Sequence, residues 1–264
     1  MQAEIESSIL ATRSNISKCK MNITLKASDY LYLVPAAVDL IRVGNPDTDG
    51  GYVVPADLVS SVDGVLSLGI GDDWSFDQHF QQLNPRCDLH AYDGTLQLEQ
   101  FDNSMLASYR QTFQGPAVHF AESVGKQFIR PEFTEFDTVI ERLNKSNIFV
   151  KMDIEGGEYT LTRDIVDHRN IIAGLVIEYH GAASTSKHCF LEELPQLTHH
   201  YQVVHVHANN SGPVIEGFPD YLEITFLRRD LCESSQLRFE TYIDHLDRPC
   251  SVFCDDYRMF FTAK

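Results

Sequence analysis

Five short apolar runs stand out along the chain: Val65–Leu68, Cys87–Tyr92, Ala117–Ala121, Ile148–Met152 and Ile171–Ile177. Nearly continuous runs of this length predict strands buried on both faces, as in a parallel sheet covered by helices. Between them, apolar residues recur three or four positions apart. Phe76, Phe80 and Leu83 form one such stripe, and Phe136, Ile140 and Leu143 form another. Leu191, Leu194 and Leu197 make a third, while Leu96 to Thr112 and the stretch from Tyr159 through Val166 are helix-compatible. That spacing predicts helices with one buried face. Tyr201 to His207 alternates, and Tyr221 to Leu227 reads as a last strand. The loop between these two is too short for a crossover helix, so they run antiparallel to each other. The pattern predicts an α/β fold. It is a Rossmann-like three-layer αβα sandwich with a mostly parallel seven-stranded sheet and an antiparallel last strand.

The ends of the chain fit this pattern less well. Met1 to Ala27 is polar and helix-compatible, and Ser28-Asp29 can cap a helix from Tyr30 to Ile41, interrupted or started at Pro35. Asn45-Pro46 and Asp49-Gly50-Gly51 are turn chemistry before an edge strand at Tyr52-Val53-Val54. The expectation is an N-terminal helical arm and cap over residues 1–48 and a main domain over 49–264. Residues 236–264 are rich in aromatics but present no clear element.

With 264 residues and 43% apolar content the chain can bury a large core. A net charge of -17 argues against nucleic acid or an anionic membrane as partner. No stretch approaches the roughly 20 apolar residues of a membrane span, and Met1 to Lys20 lacks a signal-like apolar core. A soluble, cytoplasmic protein is expected. The scattered cysteines do not make a disulfide scaffold. Cys250 and Cys254 have a spacing that can hold zinc, but no second Cys/His pair stands at finger-like spacing, so the reading leaves zinc aside.

Candidate chemistry collects where the apolar runs end. Val65–Leu68 runs into Gly69-Ile70-Gly71, a tight turn where backbone can approach a ligand because no Cβ intrudes. Asp93 closes the next run, 24 residues past Gly69, where such folds hold ribose hydroxyls. Glu122 and Ser123 follow the third. The fourth runs into Asp153-Ile154-Glu155-Gly156-Gly157-Glu158, an acidic turn at the edge of the sheet where ligands bind. Glu178 and His180 end the fifth, and His207 ends the sixth. A dinucleotide-binding turn wants a third glycine where Trp74 stands, and Asp72 and Asp73 would repel a pyrophosphate.

Lys151-Met152-Asp153-Ile154-Glu155-Gly156-Gly157-Glu158 closely resembles the K-[IM]-D-[VI]-E-G-x-E signature of the FkbM-type methyltransferases. Asp49-Gly50-Gly51-Tyr52-Val53 and Leu68-Gly69-Ile70-Gly71-Asp72-Asp73-Trp74-Ser75-Phe76-Asp77 look like the related methyltransferase-21 group. The resemblance covers about Asp49 to Leu227. It implies S-adenosylmethionine as cofactor and transfer of a methyl group to a hydroxyl, with a small molecule or a glycan as acceptor. The candidate cofactor-binding residues are Gly50, Gly51, Gly69, Gly71, Asp72, Trp74, Asp93, Glu122, Ser123 and Asp153.

In that picture Asp93 takes the ribose and Asp72 or Asp153 the methionine ammonium. An alcohol acceptor must lose a proton, so a base is needed. His180 and His207 are the candidates, with Asp153, Glu155 and Glu178 as catalytic partners. The same residues could hold a divalent metal, an option not favoured over S-adenosylmethionine alone. Three other readings stay open: a non-catalytic nucleoside-binding scaffold, an NAD-binding oxidoreductase and a metal-dependent hydrolase.

Overall fold

The computed structural model describes residues 21–263 apart from Phe128, Pro131 and Ser235. The expected arm before Met21 lies outside the described residues. Seven strands make the central sheet: β4 (Gly64–Leu68), β5 (Asp88–Tyr92), β6 (Ala117–Phe120), β7 (Ile148–Met152), β8 (Ile172–His180), β9 (Tyr201–Ala208) and β12 (Tyr221–Arg228). Their order is β6-β5-β4-β7-β8-β12-β9. The first five are mutually parallel, and β12 runs antiparallel to both neighbours. The fold is therefore Rossmann-like, with the antiparallel strand slotted in beside the edge strand β9.

Alternation explains the two layers on either side of the sheet. Every residue of β4 and β7 is buried. Leu66, Leu68, Ile148, Val150 and Met152 point to one core. Helices α4 (Phe136–Leu143), α5 (Thr162–Asp167) and α6 (Lys187–His200) cover that face. Val65 and Phe149 point to the other core, beneath α1 (Ala56–Ser61) and α2 (Ser75–Leu83). Side chains two apart share a face, so one run of sequence serves both cores. Helix α3 (Asn103–Thr112) begins at Asp102, whose carboxylate accepts from the backbone N–H of Ser104 and Met105 at 2.8 and 2.9 Å.

Several expectations are corrected. Tyr30 to Ile41 is not a helix: a single 3-10 turn spans Leu31–Leu33, and Leu40–Gly44 is a strand, β2. Pro35 follows the turn closely and blocks its extension. β2 pairs antiparallel with β3 (Gly51–Pro55), a hairpin that straddles residues 48 and 49. Met21–Lys26 is also a strand, β1, and it pairs in parallel with β13 (Tyr257–Thr262), an element the aromatic-rich tail did not announce. The Asp73 carboxylate accepts from the Ser75 N–H at 2.9 Å, while Asp77 is buried. Leu96 to Thr112 splits into a short turn at Leu98–Gln100 and α3. A two-residue hairpin, β10 (Val214–Ile215) with β11 (Phe218–Pro219), bridges β9 and β12. Among the described residues, no helix is long and apolar enough to cross a membrane.

Candidate functional site

The chain leaves β4 for β5 on one side and later returns to β7 on the other, so the sheet reverses direction of growth between β4 and β7. Ligands of open α/β sheets bind outside the carboxyl ends of strands at such a point. The two loops there are locked together. Gly69 has φ +75°, and a Cβ on it would overlap the carbonyl oxygen of Asp153, so the approach of the two loops requires glycine. The Lys151 ammonium donates to the Gly69 carbonyl. Gly71, at φ +52°, has nothing within 4 Å of its Cβ position and faces open space.

Asp93 holds the glycine turn from the neighbouring strand. Its Oδ2 accepts from the N–H of Ile70 and Gly71 at 3.1 and 2.9 Å. Its Oδ1 accepts from the N–H and hydroxyl of Thr95 at 2.8 and 2.6 Å. Burial pushes this acid upward, but these four donors outweigh it and hold the carboxyl below its ordinary value. These four donors fill the roughly four acceptor positions a carboxylate offers, and among them the Thr95 hydroxyl is the one free to rotate away.

Two clefts flank this turn. The first, about 380 Å³, is lined by Asp49, Gly50, Tyr52, Gly71, Asp72, Asp73, Asp77 and Lys151. The second, about 430 Å³, is lined by Tyr92, Gly94, Ser123, Val124, Ile129 and Phe133. Gly69, Asp93, Thr95, Asp153 and Glu155 line both. One cleft is acidic with a single lysine, and the other is largely apolar. Buried Asp77 has its pKa raised to about 6 by desolvation, against the pull of Lys151 and Ser67.

Beside the first cleft, His180 sits among carboxylates. Its Nδ1 lies 2.8 Å from Glu158 Oε1. Its Nε2 faces Glu155, Glu178 and Asp153 at 3.5, 3.7 and 3.8 Å. Burial alone would lower the His180 pKa, but the hydrogen bond and charge of Glu158, with Asp153 and Glu155, raise it. Asp153 is oriented from behind by the Tyr52 hydroxyl, which donates to Oδ2 at 3.0 Å. Glu155 reaches toward the imidazole from a left-handed backbone, φ +54°, rare outside glycine.

Behind this cluster three side chains line up across adjacent strands. Glu178 on β8 faces Glu223 on β12, and Glu223 in turn faces His207 on β9. All three are buried. Desolvation, then the charges of Asp153 and Glu223, push Glu178 well above the usual carboxylate range. His207 is raised too: burial opposes it, but Glu223, Asp256 and Cys250 prevail.

The structure thus gathers Gly50, Gly69, Gly71, Asp72, Asp93, Asp153 and Glu155 around the clefts, adds Ser123 at the apolar one, and sets His180 and Glu178 alongside. It does not bring the rest there. His207 opens on neither cleft: its ring is enclosed, with Nδ1 3.2 Å from Glu223 and Nε2 3.0 Å from Asp256. Trp74 packs against Phe101 and Tyr109 and donates to Ser108 at 3.1 Å, outside both clefts. Glu122 is tied to Arg142 and Thr134. Gly51 serves the hairpin, where a Cβ would strike Asn45 and Arg42. Sequence reasoning did not assign Tyr52, Thr95, Asp49 and Glu223 to the site. Only register could have found Glu223, because it lies opposite Glu178.

No family model and no curated protein matches the chain. Solved structures do match. One is a chain of the fibrillarin/Nop5p complex, with 12% identity over 70% of this chain and 88% of that one, TM-score 0.38. A rRNA methylase from Streptococcus thermophilus has 10% identity over 65% and 92%, TM-score 0.38. The antibiotic-resistance methyltransferase Kmr has 10% identity over 72% and 100%, TM-score 0.34. Superpositions this loose carry no weight for activity or substrate.

Proposed function

We propose that the chain is an S-adenosylmethionine-dependent methyltransferase that methylates a hydroxyl on a small molecule or glycan. The observation that carries the reading is the pairing of two clefts across one glycine turn, one acidic and one apolar. A pyrophosphate would meet Asp72, Asp73 and Asp77 in the first cleft. A sulfonium and an ammonium are cations and suit the same acids. The apolar cleft, with Val124, Ile129 and Phe133, suits an adenine ring, and Asp93 with Thr95 stands between them for the ribose. The motif over Lys151–Glu158 supports the FkbM-type assignment.

When bound, S-adenosylmethionine supplies an electrophilic methyl group. This chain's part is alignment and proton removal. Gly71 leaves room for close approach, and Asp153, oriented by Tyr52, holds the ammonium. The acceptor's hydroxyl proton passes to Glu155, which lines both clefts, or to His180 Nε2, 3.5 Å from it. His207, enclosed by Glu223 and Asp256, has no part in that step.

Calorimetric titration with S-adenosylhomocysteine, with NAD alongside, tests the proposal. Micromolar binding of S-adenosylhomocysteine and none of NAD is expected. Binding of NAD in its place, or of neither, overturns it. Transfer of labelled methyl to a panel of hydroxylated acceptors then separates an enzyme from a binding scaffold.

A further inference from the structure

Among the described residues, three groups of His, Cys, Asp and Glu side chains come close enough to share a cation. Asp153, Glu158 and His180 belong to the cleft already described. Asp49, Glu178 and Glu223 are carboxylates only. His207, Glu223 and Cys250 differ from both: they combine an imidazole, a carboxylate and a thiol, with ligand atoms all within 4.8 Å of one another. We propose that these three residues form a binding site for a zinc-type divalent cation, separate from the methyl-donor clefts.

Local geometry supports this in three ways. First, the donors converge: Cys250 Sγ lies 3.0 Å from Glu223 Oε1, and His207 Nδ1 lies 3.2 Å from Glu223 Oε2. Ligands around tetrahedral zinc stand roughly 3.3–3.8 Å apart, so small side-chain adjustments complete the arrangement. Second, His207 already has the outer partner that metal-bound histidines use. Its Nε2 contacts both oxygens of Asp256, at 3.0 and 3.1 Å. A proton held on Nε2 by that carboxylate leaves Nδ1 as a lone pair directed at Glu223 and Cys250. A cation at the site would take the place of a proton shared between Nδ1 and the Glu223 oxygen, 3.2 Å apart. Third, the site is largely shielded: the side chains of His207, Glu223 and Asp256 are 1%, 6% and 7% exposed, and Cys250 is half-buried. Like charges opposed across a sheet are unfavourable, and Glu223 stands opposite Glu178 with Asp49 beyond. Divalent charge offsets this crowding. Thiolate with imidazole favours zinc over magnesium or calcium.

In this proposal Cys250 is a ligand and Cys254, its partner in the cysteine spacing, is not. Cys254 is exposed, and the ligands that join Cys250 come from β9 and β12. Asp49 lines the first cleft and shares a carboxylate cluster with Glu223, so the site backs onto that cleft.

Cobalt(II) titration of the full-length, chelator-treated protein is the test, followed by absorption and by alkylation mapping with mass spectrometry. One equivalent of cobalt should bind with a thiolate charge-transfer band, and zinc should displace it. Zinc should protect Cys250 from iodoacetamide while leaving Cys254 reactive. Cys250→Ser should abolish the band, Asp256→Asn should weaken binding about 10- to 100-fold, and Cys254→Ser should leave both intact. No band in the wild-type protein, alkylation of Cys250 at the same rate with and without zinc, or loss of the band in Cys254→Ser overturns the proposal. None of these readings depends on S-adenosylhomocysteine, so the cofactor assignment stands or falls separately.

Discussion

The Tyr52 hydroxyl donates to Asp153 at 3.0 Å, across 101 positions of sequence, and so joins the β2–β3 hairpin to the end of β7. Tyr52 is itself buried, with its phenol pushed well above the ordinary value by desolvation and then by the charge of Asp153. The phenol therefore stays protonated and serves as a fixed donor. Tyr52→Phe removes that donor and leaves the ring packed against Phe76. A hydrogen bond to a charged group contributes about 1.5–3 kcal/mol. S-adenosylhomocysteine affinity should fall about tenfold or more, and the thermal midpoint should drop by several degrees. Unchanged affinity by calorimetry would remove Asp153 from the ammonium site.

Gly69 and Gly71 have positive φ for different reasons, and alanine separates them. At Gly69 a Cβ collides with the backbone of Asp153, so Gly69→Ala should yield little folded protein. At Gly71 the Cβ meets open space. Gly71→Ala should therefore fold, at a cost of about 1–2 kcal/mol for the left-handed backbone, yet lose cofactor affinity because the methyl group fills the cleft. Denaturant melts and calorimetry on both variants check the contrast.

Asp77 makes stability depend on pH in an unusual direction. Its folded pKa of about 6 lies above the ordinary 3.8. The folded state binds this proton more tightly than the unfolded chain does. Stability from the protonated form is fully present below pH 3.8 and is lost as pH rises through about 6. A shift of about two units corresponds to about 3 kcal/mol. Asp77→Asn should be more stable than wild type at pH 8 by up to about that amount, with the gap closing toward pH 5. Urea unfolding at both values is the measurement.

Asp247 works the opposite way. It lies 3.0 Å from His205 Nε2 and accepts from the Ile243 N–H at 2.6 Å. Burial opposes its ionisation, but His205 prevails and holds the carboxyl down at about 2. Its contribution is present above pH 3.8 and disappears as pH falls through about 2. Asp247→Asn should cost on the order of 2 kcal/mol at pH 7, and the difference from wild type should shrink on acidification below pH 4. Equal stability at pH 7 would show that the pair contributes nothing.

The legible parts of the fold are those with two-sided burial. β4, β5, β7 and β8 show in the sequence because strands covered on both faces leave unbroken apolar runs. The glycine turn and Asp153 are readable for a related reason: they end those runs, where the sheet offers its edge. Met21–Lys26 escaped notice because only Ile23 and Leu25 of the strand are buried, and its partner lies at the far end of the chain. The role of His207 was illegible because a strand-end histidine is equally suited to cleft and core. Glu223 and Asp256, brought from two other segments, decide it.

The β1–β13 ribbon implies an order of events as the protein is made. Thr262 donates to the Leu25 carbonyl across 237 positions, so β1 leaves the ribosome long before its mate exists. Its Ile23 and Leu25 belong to the same core as α6, and that flank closes only once β13 has been made. Cys250 and Asp256 lie on the segment that leads into β13. Formation of β13 therefore draws Cys250 and Asp256 in toward His207, so the surroundings of that imidazole are completed well after β1 has been made.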